Sequence, residues 1–328
     1  MTFDSYMQNI TTVAIAGHVR ADGDCVGSCL AVYNYICSNF ADIRADVYLE
    51  SVPDKFLFLK NADKIRSFSD MDESLEYDLF LALDCGDLGR LGKAAKYFET
   101  AKQTLCVDHH ISNQSFADVN YIFPSASSTS ELVYGLMCRD KMTKAIAECI
   151  YLGMVHDTGV FRYSCTSPET MRIAGELMEF GINYPKIVDE TFFMKTYKQN
   201  RILGKALQDS RLYLGGTCIY SLITREDMKT FGVSAQDLDG IVSQLRSTEG
   251  VETAIFLYEN DNGSYKLSLR SASVVDVAAI AAQFGGGGHC RAAGATVSGE
   301  PRELLDKLLM QIEAQQKKRE ENECTTES

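Results

Sequence analysis

The sequence predicts an α/β protein with a parallel sheet in its N-terminal part and a smaller α+β domain in its C-terminal part. Three short apolar runs, at residues 12–17, 77–84 and 104–108, are separated by segments long enough to hold helices. Such runs are typical of buried parallel strands. Beyond residue 210 the apolar runs come in pairs, one of them joined by an Asn-Gly turn, which indicates antiparallel strands.

Chain length indicates two domains. With 328 residues the chain is long for one hydrophobic core, and 45% hydrophobic with 23% charged residues is ordinary for a globular protein. The predicted divisions are an N-terminal domain (1–190), a helical linker (191–210), a second domain (211–316) and a disordered tail (317–328), the tail being polar and without apolar periodicity.

Two segments are predicted as helices from their spacing and ends. The first apolar run leads into "GDCVGSCLAVYNYICSNF", whose apolar residues recur at helical spacing. The turn before it is therefore a strand-to-helix junction, where open α/β sheets bind ligands. A second helix is predicted in "TSPETMRIAGELMEFGI", with Ser167 as N-cap, Pro168 in the first turn and Gly181 just past the end.

Bulk properties argue against several classes of protein. A formal net charge of −13 disfavours binding to long nucleic acid, because that affinity comes mainly from Lys and Arg contacts with phosphates. The sequence shows neither an apolar run of membrane-spanning length nor the features of a signal peptide, so we expect a cytoplasmic protein without membrane contact. Its 11 cysteines are odd in number and lack a C-x-x-C pair, which indicates reduced thiols.

Histidines and aspartates recur where the predicted strands and one later helix end. They are His18, Asp22 and Asp24 after the first run, Asp84 and Asp87 after the second, Asp108, His109 and His110 after the third, and Asp157 at the helix end. One such residue alone is more often a cap or a solvated loop residue. Four clusters at one sheet edge indicate a site, although the gathered carboxylates would repel one another unless a cation lay among them.

The donor types restrict the metal and the reaction. Nitrogen and oxygen donors without thiolate suit Mn²⁺, Mg²⁺ or Fe²⁺ better than a structural zinc. A pair of such ions roughly 3.5–4 Å apart can activate water and stabilise the oxygens of an in-line displacement at phosphorus. The sequence therefore predicts phosphoester hydrolysis with two metal ions, for which we favour Mn²⁺.

Four motifs, "GHVRADGDCVGS", "LDCGD", "VDHH" and "HDTGVFR", resemble those of the DHH phosphoesterase family in order and separation. The late "SLRSASVVDVAAIAAQFGGGGHCRAAGAT" resembles the DHH-associated C-terminal domain with its glycine-rich GGGH signature. The resemblance implies that residues 1–190 form the catalytic domain and residues 211–316 the substrate-binding domain, with the active site in a cleft between them. Within the family, the resemblance is to short bacterial enzymes that degrade oligoribonucleotides (nanoRNases) and dephosphorylate 3′-phosphoadenosine 5′-phosphate (PAP).

The resemblance implies a role for each residue of the motifs. His18, Asp22 and Asp84 would hold one Mn²⁺, and Asp24, Asp84, His109 and Asp157 the second, with Asp84 bridging. Asp84 and His110 would be catalytic, His110 as a donor to the scissile phosphate, and Asp108 would orient His109 or a neighbour. The implied substrate-binding residues are Arg162, Arg270 and the glycine-rich loop with Gly286, Gly287, Gly288 and His289, while the segment "SSTSE" (127–131) matches a family stretch near the site.

The implied function is Mn²⁺-dependent hydrolysis of oligoribonucleotides of about two to five nucleotides, such as pApA, to mononucleotides, together with conversion of PAP to AMP. The partners would be short oligonucleotides and 3′-phosphorylated nucleotides, and a homodimer stays open. Alternatives are a cyclic-di-AMP or pApA phosphodiesterase and a manganese pyrophosphatase or exopolyphosphatase. A non-catalytic nucleotide sensor is disfavoured because every expected metal ligand is present.

Overall fold

The chain divides into two compact units, residues 1–194 and 195–328. The computed structural model describes residues 2–72 and 74–326, with side chains up to residue 319. Within these residues, no helix combines the length and the apolar content that crossing a membrane requires.

The first unit contains a parallel sheet. Its strands in the described residues are β1 (Thr12–Ala16), β2 (Arg44–Tyr48), β3 (Ile65–Arg66), β4 (Leu79–Leu83), β5 (Gln103–Asp108) and β6 (Val119–Ile122), arranged in the order β3-β2-β1-β4-β5-β6. Every adjacent pair is parallel, and Ile15 in β1 lies beside Val47 and Leu81 of its two neighbours. This sheet confirms the class predicted for the N-terminal part.

Helices lie against both faces of this sheet. They are α1 (Phe3–Tyr6), α2 (Gly23–Asn39), α3 (Ala95–Thr100), α4 (Thr129–Leu136), α5 (Lys144–Asp157), α6 (Pro168–Met178) and α7 (Tyr184–Val188). Alternate residues of β1 point to opposite faces, so Ile15 joins the core formed with α2 and α5, while Ala14 joins the one formed with α3. Ser167 caps α6 as predicted, although α6 ends at Met178, earlier than Gly181 suggested.

Helices α2 and α5 approach each other closely at two glycines. A Cβ built on Gly27 of α2 would lie 2.5 Å from the Cys149 carbonyl oxygen and 3.0 Å from the backbone nitrogen of Gly153, both in α5. Only residues without a side chain allow this separation, since real Cβ contacts are longer. The crossing brings the first turn of α2, with Asp24, beside α5.

The second unit has a mixed sheet covered by helices. Its elements in the described residues are α8 (Tyr197–Gln208), β7 (Arg211–Tyr213), β8 (Cys218–Ile223), α9 (Arg225–Phe231), α10 (Ile241–Arg246), β9 (Thr253–Glu259), β10 (Tyr265–Ser271), α11 (Val277–Ala282), β11 (Gly287–His289), β12 (Ala292–Val297) and α12 (Pro301–Thr326). The strand order is β11-β12-β10-β9-β8-β7, with β8 and β9 parallel and the other pairs antiparallel. The predicted turn joins β9 to β10, with Gly263 at a φ of 77°.

Three segments differ from their predictions. Part of the predicted linker is α8, which packs Ile202 and Ala206 into a core of the second unit because its apolar residues share one helix face. Helix α12 continues to Thr326 through the segment predicted to be a disordered tail, which begins with the good helix formers Lys, Arg and Glu. Residues 327 and 328 of that tail lie outside the described residues.

The third difference is the glycine run, which forms the edge strand β11 rather than a loop. A Cβ on Gly286 would lie 2.2 Å from the Gly294 carbonyl oxygen, and one on Gly288 would lie 2.4 Å from that of Ala292. Two backbones thus meet here more closely than side chains would allow. Because glycine has a low strand propensity, the sequence did not predict a strand here. The strand forms because these residues pair with β12.

Glu252 holds the loop that follows β10. Its carboxylate accepts hydrogen bonds from the N–H groups of Ser273, Val274 and Val275, at 2.5–3.1 Å, and from the Ser271 hydroxyl at 3.0 Å. Burial alone would raise the pKa of Glu252. The hydrogen bonds from these N–H groups have a larger, opposite effect and hold the pKa below its ordinary value. The ionised carboxylate therefore stabilises the folded state.

We expect Glu252→Gln to lower the free energy of unfolding by about 2 kcal/mol at pH 7, because the bonds to a charged acceptor are weakened. Glu252 has a lowered folded pKa, so its stabilisation is complete above the unfolded pKa of about 4.3 and is lost as pH falls through the folded pKa. Denaturant unfolding across this range should show the difference between variant and wild type shrinking in acid. Glu249→Gln, at an exposed glutamate, is the matched control, and an equal loss there would contradict the account.

Candidate active site

The polar residues predicted from the motifs meet at the carboxyl edge of the first sheet. Strands β1, β4 and β5 are adjacent and parallel, so the residues that follow them, His18, Asp84 and His109, lie at the same edge. Helix α5 ends at this edge with Asp157, whose Oδ2 is 3.0 Å from Nε2 of His109. Topology therefore brings together side chains that are up to 139 residues apart.

Asp84 lies between two histidines. Its Oδ2 is 3.4 Å from Nε2 of His18, and its Oδ1 is 3.8 Å from Nε2 of His109. The residue has a φ of 55°, which is unusual for a residue with a side chain, and it is 2% exposed. Oδ1 is also 3.7 Å from Nδ1 of His110. The two carboxylate oxygens thus face different histidines, Oδ2 facing His18 and Oδ1 facing His109 and His110, which suits a ligand shared by two cations.

On one side of Asp84, His18 lies close to Asp22. The Nδ1 of His18 is 2.9 Å from the Val19 carbonyl oxygen and donates to it, which directs Nε2 toward Asp84 and toward Oδ2 of Asp22 at 3.6 Å. Asp22 is also the N-cap of α2, where its Oδ1 accepts from the N–H groups of Asp24 and Cys25. One oxygen of Asp22 therefore fixes the helix and the other faces His18.

On the other side of Asp84, Asp24 lies with His109 and Asp157. Ligand atoms of these three residues are all within 4.8 Å of one another. Asp24 is fully buried, and its carboxylate accepts from the N–H groups of Thr129 at 2.7 Å and Ser130 at 2.9 Å, in the first turn of α4. The Thr129 hydroxyl donates to Asp84 at 3.2 Å, so the start of α4 supports both carboxylates.

The gathered charges shift one another's protonation. Burial, together with Asp84 and Asp157, raises the pKa of Asp24 well above its ordinary range, and burial also raises the pKa of Asp157 to about 6. Burial alone would lower the pKa of His109, but Asp157 and Asp24 outweigh it and raise the pKa to about 10. Protons thus compensate the carboxylates, a role that divalent cations fill when bound. The donor set of imidazole and carboxylate fits such cations.

Cys25 lies nearer to this set than its position in the helix suggests. Its Sγ is within 4.8 Å of ligand atoms of His18 and Asp84. Burial raises the pKa of this thiol well above its ordinary value, and the thiol faces the His18 carbonyl oxygen at 3.8 Å. Cys25 also packs in the main hydrophobic core of the first unit, as expected of a buried thiol.

His110 is held by Asp108. Its Nδ1 donates to Oδ1 of Asp108 at 2.7 Å, and Nδ2 of Asn113 donates to the other oxygen at 2.7 Å. Asp108 therefore orients His110 rather than His109, and its carboxylate raises the pKa of His110. A protonated His110 carries a second N–H group on Nε2.

The residues predicted to bind substrate lie in both units. Arg162 is exposed in the turn after α5. In the second unit, Arg270 is in β10, with Nη1 donating to the Leu269 carbonyl oxygen at 2.9 Å. Gly286 precedes the exposed strand β11, which contains Gly287, Gly288 and His289.

Sequence reasoning missed several supporting residues. Asn113 comes three residues after the VDHH motif, and its bond to Asp108 depends on a turn that the motif does not specify. Thr129 and Ser130 belong to a segment whose role was left open, and the N-cap at Ser128 was the available signal for amides aimed at an anion. Gly153 gave no signal beyond its presence in an apolar helix.

Comparisons with known proteins agree with these motifs. Residues 12–154 match the model of the DHH family, N-terminal domain, and residues 215–318 match that of the DHHA1 domain. The chain is 31% identical over 291 residues to the bifunctional oligoribonuclease and PAP phosphatase NrnA of Thermus thermophilus, covering 88% of this chain and 84% of that protein. The chain belongs to the DHH family.

Two further relatives extend the comparison. The NrnA protein of Bacillus subtilis is 26% identical, covering 87% of this chain and 89% of that protein. The crystal structure of an exopolyphosphatase-related protein from Bacteroides fragilis matches with a TM-score of 0.89 and 28% identity, covering 95% of this chain and 94% of that one. As a DHH protein with these relatives, the chain is a metal-dependent phosphodiesterase or phosphatase.

We expect Gly153→Ala to weaken metal binding by roughly 10- to 100-fold, the range for changes in groups that support metal ligands. A Cβ there would lie 2.0 Å from Oγ of Ser130 and 2.6 Å from Oδ1 of Asp24, so the carboxylate must shift. Titration calorimetry with Mn²⁺ measures the loss. Gly175→Ala in α6 is the matched control, because nothing lies within 4 Å of its added Cβ. Unchanged affinity in Gly153→Ala would contradict the role given to Asp24.

Proposed function

We propose that this chain hydrolyses short oligoribonucleotides such as pApA to mononucleotides and converts PAP to AMP. The observation that carries the proposal is the position of Asp84, each of whose carboxylate oxygens faces a different histidine. A shared carboxylate is suited to two-metal phosphoester chemistry. Relatives of similar length that are named oligoribonuclease and PAP phosphatase support the choice of substrates.

Two metal ions fit the donor set. His18, Asp22 and Asp84 would hold one ion, and Asp24, Asp84, His109 and Asp157 the other. Donors limited to nitrogen and oxygen favour Mn²⁺, with Mg²⁺ and Fe²⁺ as the other candidates. When bound, such ions lower the pKa of a water molecule and offset negative charge on the phosphate oxygens.

The protein's own groups position the phosphate and steady its charge. His110, held by Asp108, directs its Nε2 proton to a phosphate oxygen and stabilises the charge that develops there. Asp24 keeps its orientation through the two N–H groups of α4, so the ligand does not need to reorganise during the reaction. No covalent bond between protein and phosphate is required.

Substrate recognition is assigned to groups in both units. Arg270 and Arg162 would contact phosphate oxygens, which a guanidinium can bind through two parallel hydrogen bonds. Gly286, Gly287, Gly288 and His289 would contact the terminal nucleotide. The net charge of −13 favours short substrates, because few cationic groups are available to follow a long strand.

Polyphosphate is the second substrate class, favoured by the exopolyphosphatase-related relative from Bacteroides fragilis. It uses the same metal chemistry and differs in lacking a nucleoside. Release of phosphate from polyphosphate, measured beside AMP release from pApA, ranks the two.

Purified protein with Mn²⁺ should release AMP from pApA, and EDTA should abolish the release. Asp84→Asn should lower the rate by more than about 100-fold, beyond the effect typical of residues outside the ligand set. Asp63→Asn is the control, at an aspartate that is 72% exposed and pairs with Lys64. Folded, metal-loaded protein that releases no AMP would overturn the proposal, and so would full activity of Asp84→Asn.

A further inference from the structure

A tyrosine ring lies exposed beside the metal-binding edge of the first unit. Tyr163 is 51% exposed and comes six residues after Asp157. A Cβ built on Gly159 would lie 2.3 Å from Cζ and 2.6 Å from Cε1 and Cε2 of this ring. A point this close to Cζ and equally close to the two flanking ring carbons lies over the plane of the ring, so one face of the ring covers Gly159. The opposite face is directed away from Gly159.

The turn that carries the ring is tightly fixed. Gly159, Val160 and Phe161 all have left-handed φ values, of 57°, 59° and 60°. The backbone N–H of Tyr163 donates to the Thr158 carbonyl oxygen at 2.9 Å, and so does the N–H of Arg162. Left-handed backbone at Val and Phe costs energy, and such strain persists only where the surrounding structure imposes it.

The strained turn separates two aromatic residues. Phe161 turns inward, where it packs against the main core and lies 5.9 Å from the ring of Tyr151. Tyr163 belongs to no hydrophobic core of the described chain, and no other aromatic ring described there stacks on it. The turn therefore holds Tyr163 in place and leaves it exposed. The packing of the core does not explain why the chain fixes an exposed ring in this way.

The ring is held near the backbone that carries Asp157. Gly159, beneath the ring, is two residues past Asp157, and the Sγ of Cys165 lies 3.7 Å from the Asp157 carbonyl oxygen. The residues that flank Tyr163 on both sides therefore lie near the backbone of Asp157, one of the acidic residues of the candidate active site.

We propose that Tyr163 is a nucleobase-binding residue, whose exposed face stacks on a base of the substrate. The inference rests on the proposed function, since it assigns the nucleoside part of the same substrate. Aromatic side chains bind bases of single-stranded nucleic acid in this way and tolerate any base, because every base has a π face. Tyr163 would select nucleotides over phosphate compounds that lack a base.

The test compares substrates with and without bases. Tyr163→Ala should lower kcat/KM for pApA by roughly 5- to 100-fold, mainly through KM, and Tyr163→Phe should restore it to within about 3-fold. Both variants should match wild type on the 5′-phosphorylated dinucleotide whose bases are replaced by hydrogen. Tyr184→Ala, at a tyrosine that is 42% exposed elsewhere in the first unit, is the control.

The outcomes separate this inference from the proposed function. Wild type that cleaves pApA, with Tyr163→Ala equal to it, overturns the inference alone. An equal loss on both substrates also overturns it, because the side chain would then support the site rather than bind a base. Wild type that does not cleave pApA overturns the proposed function. Calorimetric binding of AMP and of ribose 5-phosphate then tests Tyr163 without turnover, and equal effects of Tyr163→Ala on both would again reject the inference.

Discussion

Buried carboxylates lie close together at one edge of the first unit's sheet, and the surrounding structure must hold them there against their mutual repulsion. Asp24 and Asp84 are almost inaccessible to water, and Asp157 lies beside them, so their charges cannot be dispersed by solvent. The parallel order of strands brings Asp84 between His18 and His109. Carboxylates gathered in this way destabilise the fold when no cation is bound. The same carboxylates favour the binding of divalent cations.

Backbone groups hold this charge in place. The amides at the start of α4 bind Asp24, the N-cap geometry of α2 fixes Asp22, and the crossing of α2 with α5 at Gly27 and Gly153 sets the separation of the helices that carry Asp24 and Asp157. These groups belong to rigid elements, which suits preorganised catalysis. The strained turn after α5 holds Tyr163 in a similar way, and for this residue we propose a role in substrate recognition.

Much of the fold could be predicted because buried parallel strands appear as apolar runs and their carboxyl ends share one edge. This geometry explains why residues as distant as His18 and Asp157 could be grouped from the sequence. Contacts made by backbone amides, as at Thr129, depend on packing between distant segments. An N-cap such as Ser128 indicates where a helix begins but not which distant carboxylate its amides bind. The strand formed by Gly287 and its neighbours was predicted as a loop, because glycine lacks the side chain on which strand propensity rests.

Thermal unfolding of wild type and Asp24→Asn, each in EDTA and in saturating Mn²⁺, tests most directly whether the buried carboxylates are arranged to bind divalent cations. In EDTA the variant should lose no more than the roughly 1–3 kcal/mol expected for one unpaired N–H group. Its NH2 group cannot accept from one of the two α4 N–H groups, while the removal of a buried carboxylate offsets part of that loss. With Mn²⁺ at 100 times its dissociation constant, wild type should gain about 2.7 kcal/mol and the variant much less. A variant that gains as much from Mn²⁺ as wild type does would contradict the account.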